Sequence, residues 1–265
     1  MTKPFLSIVI PAYNEGGRIA DSLVTLQEYV QRKNFQIETI VVDDGSSDNT
    51  TELASGQTGI RVLRNLGNRG KGYSVRRGVL EARGELVLFT DADLSAPINE
   101  ADKLIAAMES SRADAVVGSR ALERDLIGTH QSPLREWGGR LFNLLVRIFT
   151  GLRILDTQCG FKLFRRGTTR RAFELQRVDR FGFDPEILFL IERQGGKVAE
   201  VPVRWNHSPA TKVHYLRDSL HMTLDLVVLR WRALTGQYEK AVGSGQKAED
   251  SRQRVMGSSG DLAAP

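Results

Sequence analysis

Residues 85–94 read Glu-Leu-Val-Leu-Phe-Thr-Asp-Ala-Asp-Leu. A short apolar run bounded in this way predicts a buried strand. The pair Asp91 and Asp93 then sits at the strand's carboxyl end. Two carboxylates one residue apart at such a place can share a divalent cation. Their hard oxygens suit Mg²⁺ or Mn²⁺, with diphosphate oxygens and water completing the coordination. The same residues also read as an acidic turn, with Asp93 capping the next helix.

The pattern recurs on the amino-terminal side. Residues 5–10 (Phe-Leu-Ser-Ile-Val-Ile) run into Pro11-Ala12-Tyr13-Asn14-Glu15, and residues 38–42 (Glu-Thr-Ile-Val-Val) run into Asp43-Asp44-Gly45. Residues 60–64 and 115–117 are further strand candidates. Helical spacing fills the gaps: Ile19, Leu23, Leu26 and Val30 within 16–32, then 70–83 and 98–110. Alternating strands and helices predict an α/β fold, a mostly parallel central sheet flanked by helices. Its acidic strand ends converge on one edge, where ligands bind in such sheets. A carboxylate at Asp43 or Asp44 can accept the imide N–H of a uracil or the hydroxyls of a ribose, and spacing alone does not choose between the two. Asn68-Arg69-Gly70-Lys71-Gly72 leads into a helix and presents backbone N–H groups to an anion, with Lys71 adding charge. It is not a P-loop: two residues separate Gly67 from Gly70, and Gly72 stands where a Ser or Thr is needed.

The chain has 265 residues and a formal net charge of +5, which favours an anionic partner. One cysteine, Cys159, precludes an intrachain disulfide and agrees with a reducing compartment. The opening Met-Thr-Lys-Pro lacks the apolar core of a signal peptide. No run of about 18 uncharged apolar residues predicts a transmembrane helix, so membrane contact is expected to be peripheral.

The second half has its own pattern. Within 140–150, Leu141, Leu144, Leu145, Ile148 and Phe149 share a broad helical face with Arg140 and Arg147 at its edge. Residues 160–166 and 198–203 read as strands and 183–194 as a helix. Residues 216–235 form a long, mostly apolar helix with a polar stripe of Asp218, His221 and Asp225. These C-terminal amphipathic helices suit either a lipid interface or core packing. His207, His214 and His221 recur every seven residues, not at the i, i+4 spacing of metal-binding helices. The expected layout is one domain over 1–239, made of a first half to about 120 and a second half over 121–239. A disordered tail over 240–265, rich in Gly, Ser, Ala and charge, follows.

Taken in order, Ser7-Ile8-Val9-Ile10-Pro11-Ala12-Tyr13-Asn14-Glu15, Val42-Asp43-Asp44-Gly45-Ser46-Ser47-Asp48, Asn68-Arg69-Gly70-Lys71-Gly72 and Asp91-Ala92-Asp93 resemble the family 2 glycosyltransferases with the GT-A fold. Gly118-Ser119-Arg120 and Arg135 resemble the acceptor-phosphate arginines of polyprenyl-phosphate sugar synthases. Asp156-Thr157-Gln158-Cys159-Gly160-Phe161-Lys162-Leu163-Phe164, Phe183-Asp184-Pro185-Glu186 and Thr211-Lys212-Val213 look like dolichyl-phosphate β-glucosyltransferases more than mannose synthases. The resemblance implies that Pro11, Tyr13, Glu15 and Asp44 surround the base and ribose, and that Asp91 and Asp93 flank the diphosphate and metal. Where mannose synthases often carry a metal-binding Gln two residues after the second aspartate, this chain has Ser95.

The expected reaction is inverting transfer of a hexose, glucose from UDP-glucose, to a polyprenyl or dolichyl phosphate at the cytoplasmic face of a membrane. No nucleic-acid partner is expected. GDP-mannose is the alternative donor. A sugar nucleotidyltransferase and a non-enzymatic lipid-binding scaffold are the rival classes. A phosphate monoester has its second pKa near about 6 and needs no strong base. It does need cationic positioning, for which Arg120, Arg135 and Lys212 are candidates. Asp156, Asp184 and Glu186 are candidates for contacts to the sugar or behind the site, with Asp184 a base if the acceptor were an alcohol.

Overall fold

A computed structural model describes residues 3–123, 125, 127–129, 133–206 and 215–239 of the chain. The described residues divide into two compact units, the second beginning at Val227. In the first, strands β1 (Leu6–Ala12), β2 (Ile37–Asp43), β3 (Ile60–Arg64), β4 (Leu86–Thr90) and β5 (Ala115–Ser119) alternate with helices α1 (Ile19–Gln31), α2 (Thr50–Ser55), α3 (Lys71–Glu81) and α4 (Ala101–Ser111). There follow β6 (Ile127–Thr129), α5 (Pro133–Thr150), β7 (Phe161–Arg165), α6 (Arg166–Leu175), α7 (Phe183–Arg193), β8 (Val198–Pro202), β9 (Trp205–Asn206) and α8 (Tyr215–Leu234). Seven strands make one sheet in the order β3-β2-β1-β4-β7-β5-β8, while β6 and β9 form a separate parallel pair.

All seven residues of β1 are buried, as expected of a strand covered on both faces by crossover helices. From α1, Ile19, Leu23 and Leu26 enter the core at helical spacing and join Ile8, Ile10, Val41 and Leu88. β1 has β2 on one side and β4 on the other. The strand order therefore reverses between β1 and β4, and sheets of this kind bind ligands at the carboxyl ends beside such a reversal. Tyr13 to Glu15 and Asp91 to Asp93 follow those two ends.

The sheet is mostly parallel, but β7 runs antiparallel between β4 and β5, pairing Leu163 with both Leu88 and Val116. The expected halves, 1–120 and 121–239, therefore share one sheet, and no structural boundary falls at 120. Helix α6, which follows β7 directly, is not foreseen from the sequence. Arg-Gly-Thr-Thr-Arg-Arg-Ala-Phe-Glu-Leu hides an inward face of Thr169, Ala172, Phe173 and Leu175 among arginines. The very short α2, β6 and β9 offer too few residues for a period to show.

Helix α5 begins earlier than its apolar face suggests, with Pro133 as its first residue, a position where the missing N–H costs nothing. Of the expected broad face, Leu141, Leu144 and Ile148 are exposed, Ile148 by 68%, and Leu145 and Phe149 are half-buried, while the residues the helix buries are Phe142 and Val146, outside that face. Along α8, Leu220, Leu224, Val227, Val228, Trp231 and Leu234 are exposed at helical spacing. Among the described residues no helix is long and apolar enough to cross a membrane. The expected tail over 240–265 lies outside the described residues, as do His207, His214 and the Thr211-Lys212-Val213 segment.

Candidate active site

The two adjacent aspartates after β2 do different work. Asp43 has no exposed surface. Its carboxylate accepts hydrogen bonds from the backbone and hydroxyl of Ser46 and from Thr51 Oγ1 (2.7 Å), and Arg64 Nε lies 3.4 Å away. Sealed in this way, Asp43 braces the turn after β2. Asp44 Oδ1 accepts from Asn65 Nδ2 (2.7 Å) and Arg69 N (2.9 Å), and Oδ2 accepts from Gly70 N (2.8 Å). The carboxylate thereby folds the 65–70 loop over the strand end and fixes where α3 starts.

That loop is also held from behind. Gly70 has φ of 105°, and a Cβ there would lie 2.3 Å from Asp179 O, so only glycine fits. Tyr73 N donates to Asp179 O (3.0 Å) and Gln176 Nε2 to Gly72 O (2.9 Å). The fully buried Glu186 accepts from Arg177 N (3.0 Å) and Val178 N (2.8 Å). Glu186 is thus an anchor for the 176–179 segment rather than a group facing a substrate. The result is that Lys71, the first residue of α3, reaches across to Asp91, with Nζ 2.6 Å from Oδ1. Burial acts against the Lys71 ammonium, but Asp91, Asp184 and Asp93 outweigh it and raise its pKa.

The end of β1 is stitched to the turn after β2. Asn14 N donates to Ser46 Oγ (2.8 Å), Ser47 N to Asn14 Oδ1 (2.8 Å), and Glu15 N to Thr50 Oγ1 (2.7 Å). Asn14 (φ 53°) and Leu94 (φ 46°) both adopt left-handed backbone. Such strain collects at functional sites because surrounding contacts hold it in place. Tyr13 is exposed by 38%, and Pro11 is buried in the strand before it. Arg18 Nε donates to the Glu15 carboxylate, and its Nη1 lies 3.6 Å from Asp93 Oδ2. Asp93 Oδ1 accepts from Ser95 N (3.0 Å). Lys71 and Arg18 therefore tie acidic groups from the ends of β1 and β4 into one cluster, beside the loop that Asp44 holds.

Among the described residues no three His, Cys, Asp or Glu side chains form a ready metal cage. Asp91 and Asp93 supply two hard donors, and the Asp91 carboxylate packs directly against Gly160. A Cβ at 160 would lie 2.0 Å from Asp91 Oδ2. Gly160→Ala is accordingly expected to push the Asp91 carboxylate out of place. Turnover should fall by about tenfold or more, the cost of an approximately 1 Å misplacement being of that size or larger. Steady-state kinetics beside a thermal melt checks it.

Behind Asp91 lies a second, drier cluster. Lys162, 1% exposed, donates to the Asp184 carboxylate and to Cys159 O (2.5 Å). Lys71 and Lys162 both lie over the Phe89 ring, at 5.3 and 5.7 Å from its centroid. Burial pushes the Asp184 carboxyl up, opposed by Lys162 and Lys71. Arg120 donates to Asp156 from its backbone N (3.0 Å), Nε (2.7 Å) and Nη2 (2.8 Å), and stacks 4.9 Å from the centre of the Trp205 ring. Burial raises the Asp156 carboxyl, but Arg120 outweighs it and holds the group below the usual carboxylate range. Asp156 and Asp184 are each paired with a cation and almost wholly buried.

Burial pushes the Cys159 thiol up to about 12. A neutral, fully buried thiol does not react. We expect Ellman's reagent at pH 8 to label Cys159 only after denaturation.

Arg135 lies on α5, but its side chain is outside the described residues, and Lys212 is outside them altogether. Arg120 is thus the described member of the acceptor trio. Arg18, Asn65 and Lys162 join the site without having been picked out by sequence reasoning. Only Arg18 carries a local signal, its i, i+3 spacing from Glu15.

Residues 7–173 match the model of glycosyl transferase family 2. The chain belongs to that family, its sheet is the GT-A fold, and it is a glycosyltransferase. Among curated relatives, the dolichyl-phosphate β-glucosyltransferase of Drosophila melanogaster is 40% identical, over 92% of this chain and 79% of that protein. The enzymes of the same name from Saccharomyces cerevisiae and Homo sapiens are 36% and 34% identical, each over 88% of this chain, and over 76% and 77% of those proteins. Among solved structures, glucosyl-3-phosphoglycerate synthase of Mycobacterium tuberculosis, in complex with Mn²⁺, UDP and glucosyl-3-phosphoglycerate, superimposes with a TM-score of 0.63. It is 20% identical, and the match covers 85% of this chain and 78% of that one.

Proposed function

We propose that the protein transfers glucose from UDP-glucose to dolichyl or a related polyprenyl phosphate, with inversion at the anomeric carbon. The observation that carries this reading is the gathering of Asp91, Asp93, Glu15 and Asp44, from three parallel strand ends, around Lys71, Arg18 and the loop before α3. The dolichyl-phosphate β-glucosyltransferases among its relatives support glucose over mannose. A sugar nucleotidyltransferase is disfavoured because the first strand ends in Pro-Ala-Tyr-Asn-Glu and does not pass directly into a glycine-rich basic loop.

Asp91 and Asp93 would hold a divalent cation, and two hard carboxylates one residue apart, each partly exposed, fit one. The mycobacterial synthase, of like fold and solved with Mn²⁺ and UDP, supports the same choice. When bound, such an ion neutralises charge developing on the departing diphosphate. Tyr13 and the Asp44-bound loop frame the nucleoside end. Lys71 adds a second positive charge beside the diphosphate. The acceptor phosphate is already mostly a dianion at neutral pH, so the chain needs to bind and aim it rather than deprotonate it. That agrees with the occupied state of Asp156 and Asp184. Arg120, held by Asp156 and Trp205, aims its guanidinium with little freedom, and Arg135 and Lys212 are assigned to the same phosphate.

The lipid tail of the acceptor requires contact with a membrane, and the reading assigns the enzyme to its cytoplasmic face. The exposed row Leu141, Leu144 and Ile148, with the exposed Arg147 beside it, suits insertion at an anionic lipid surface. Leu144→Asp with Ile148→Asp is expected to abolish co-sedimentation with vesicles containing anionic lipid. Turnover of a short, water-soluble polyprenyl phosphate should persist. Unchanged sedimentation overturns the membrane face.

The reaction itself is tested by incubating the protein with short polyprenyl phosphate, Mn²⁺ and a panel of nucleotide sugars, with product mass measured. A hexosyl-phospholipid from UDP-glucose is expected. Product from GDP-mannose alone would reassign the donor, pyrophosphate release from a nucleoside triphosphate would reassign the reaction, and no metal-dependent binding of any nucleotide sugar would favour a scaffold.

A further inference from the structure

The carboxylates of the cleft already have cations. Lys71 Nζ sits 2.6 Å from Asp91 Oδ1, and Arg18 spans Glu15 and Asp93. Each cation enters from the start of a helix that follows the cleft: Arg18 immediately precedes α1, and Lys71 opens α3. Behind them the signs keep alternating, from Asp91 to Lys71, Asp184 and Lys162. A divalent cation arriving alone meets carboxylates that are already neutralised, and resident positive charge repels it at short range. A cation arriving with a diphosphate brings anionic oxygens of its own. Lys71 and Arg18, on long flexible stems, can then turn from carboxylate to phosphate.

We propose that Lys71 and Arg18 are resident counterions of the Asp91–Asp93 pair that transfer to the diphosphate, so that metal and nucleotide bind tightly only together. The inference rests on the donor reading above and deepens it. It assigns Arg18 a diphosphate contact, and it makes strong metal–nucleotide coupling a property of two named side chains. The coupling is reciprocal: whatever factor UDP adds to metal affinity, the metal adds to UDP affinity.

The test is titration calorimetry of Mn²⁺ into wild type, Lys71→Gln, Arg18→Gln and the double variant, each alone, with UDP and with inorganic pyrophosphate. Circular dichroism checks that every variant is folded. For wild type, UDP should tighten Mn²⁺ binding by about thirtyfold, within the range of ordinary site-to-site coupling. The neutral variants should bind Mn²⁺ alone about tenfold more tightly, the effect of removing one nearby like charge. They should also lose most of the coupling. Lys71→Arg and Arg18→Lys, which keep the charge, should behave as wild type. Metal-alone affinity that is unchanged or weaker in the neutral variants overturns the inference, and so does an equal rise in the charge-keeping ones. If neither UDP nor pyrophosphate binds to wild type, while neutral variants still gain Mn²⁺ affinity, the counterion assignment stands and the donor reading falls.

Discussion

Asp93→Asn lowers kcat by about a thousandfold in our expectation, because removing a group that stabilises transition-state charge in a partly dry site typically costs about a hundred- to a thousandfold. The fold should not notice. Asp93 is partly exposed, and its Oδ1 accepts a hydrogen bond from Ser95 N that an asparagine oxygen accepts equally well. What is lost is the negative charge that holds Arg18 in the structure and that would hold the proposed cation once the diphosphate is bound. The checks are steady-state turnover with Mn²⁺ and UDP-glucose beside a thermal melt. Full turnover in a folded Asp93→Asn protein would remove the metal from the mechanism.

Asp184→Asn should act differently, on stability first. Lys162 is 1% exposed and Asp184 5%, and the two are in direct contact. Removing one partner of a buried ion pair strands the other charge, at a cost of about 3–5 kcal/mol. Urea denaturation reads this directly. The double variant Lys162→Met, Asp184→Leu should recover much of the loss, because no uncompensated charge remains inside. A loss of turnover in Asp184→Asn with wild-type stability would instead restore Asp184 as a direct participant in the chemistry.

The two variants separate what is legible in the chain from what is not. Asp91 and Asp93 stand out because an apolar strand ends in them, and period and punctuation are local properties. Lys162 looks like an ordinary strand lysine. Nothing near it in the chain reveals that Asp184 comes to lie against it, since that contact joins a strand to a helix 22 residues later. Asp43 and Asp44 show the limit more sharply. As neighbours with the same side chain they are indistinguishable by spacing. One is sealed by Ser46 and Thr51, and the other is bound by the backbone of a loop 25 residues downstream.

The α/β alternation, the acidic strand ends, the paired aspartates suited to a metal and the glycosyltransferase motifs could all be read from the chain alone. Each depends on residues close together in the chain, where strand period, turn chemistry and short motif spacing act. Folding in three dimensions set the rest: that β7 runs antiparallel between β4 and β5, that the apolar face of α5 is half exposed, and that Asp156 and Asp184 are held by Arg120 and Lys162. Those outcomes come from long-range packing and from pairing charges that cannot stay buried alone.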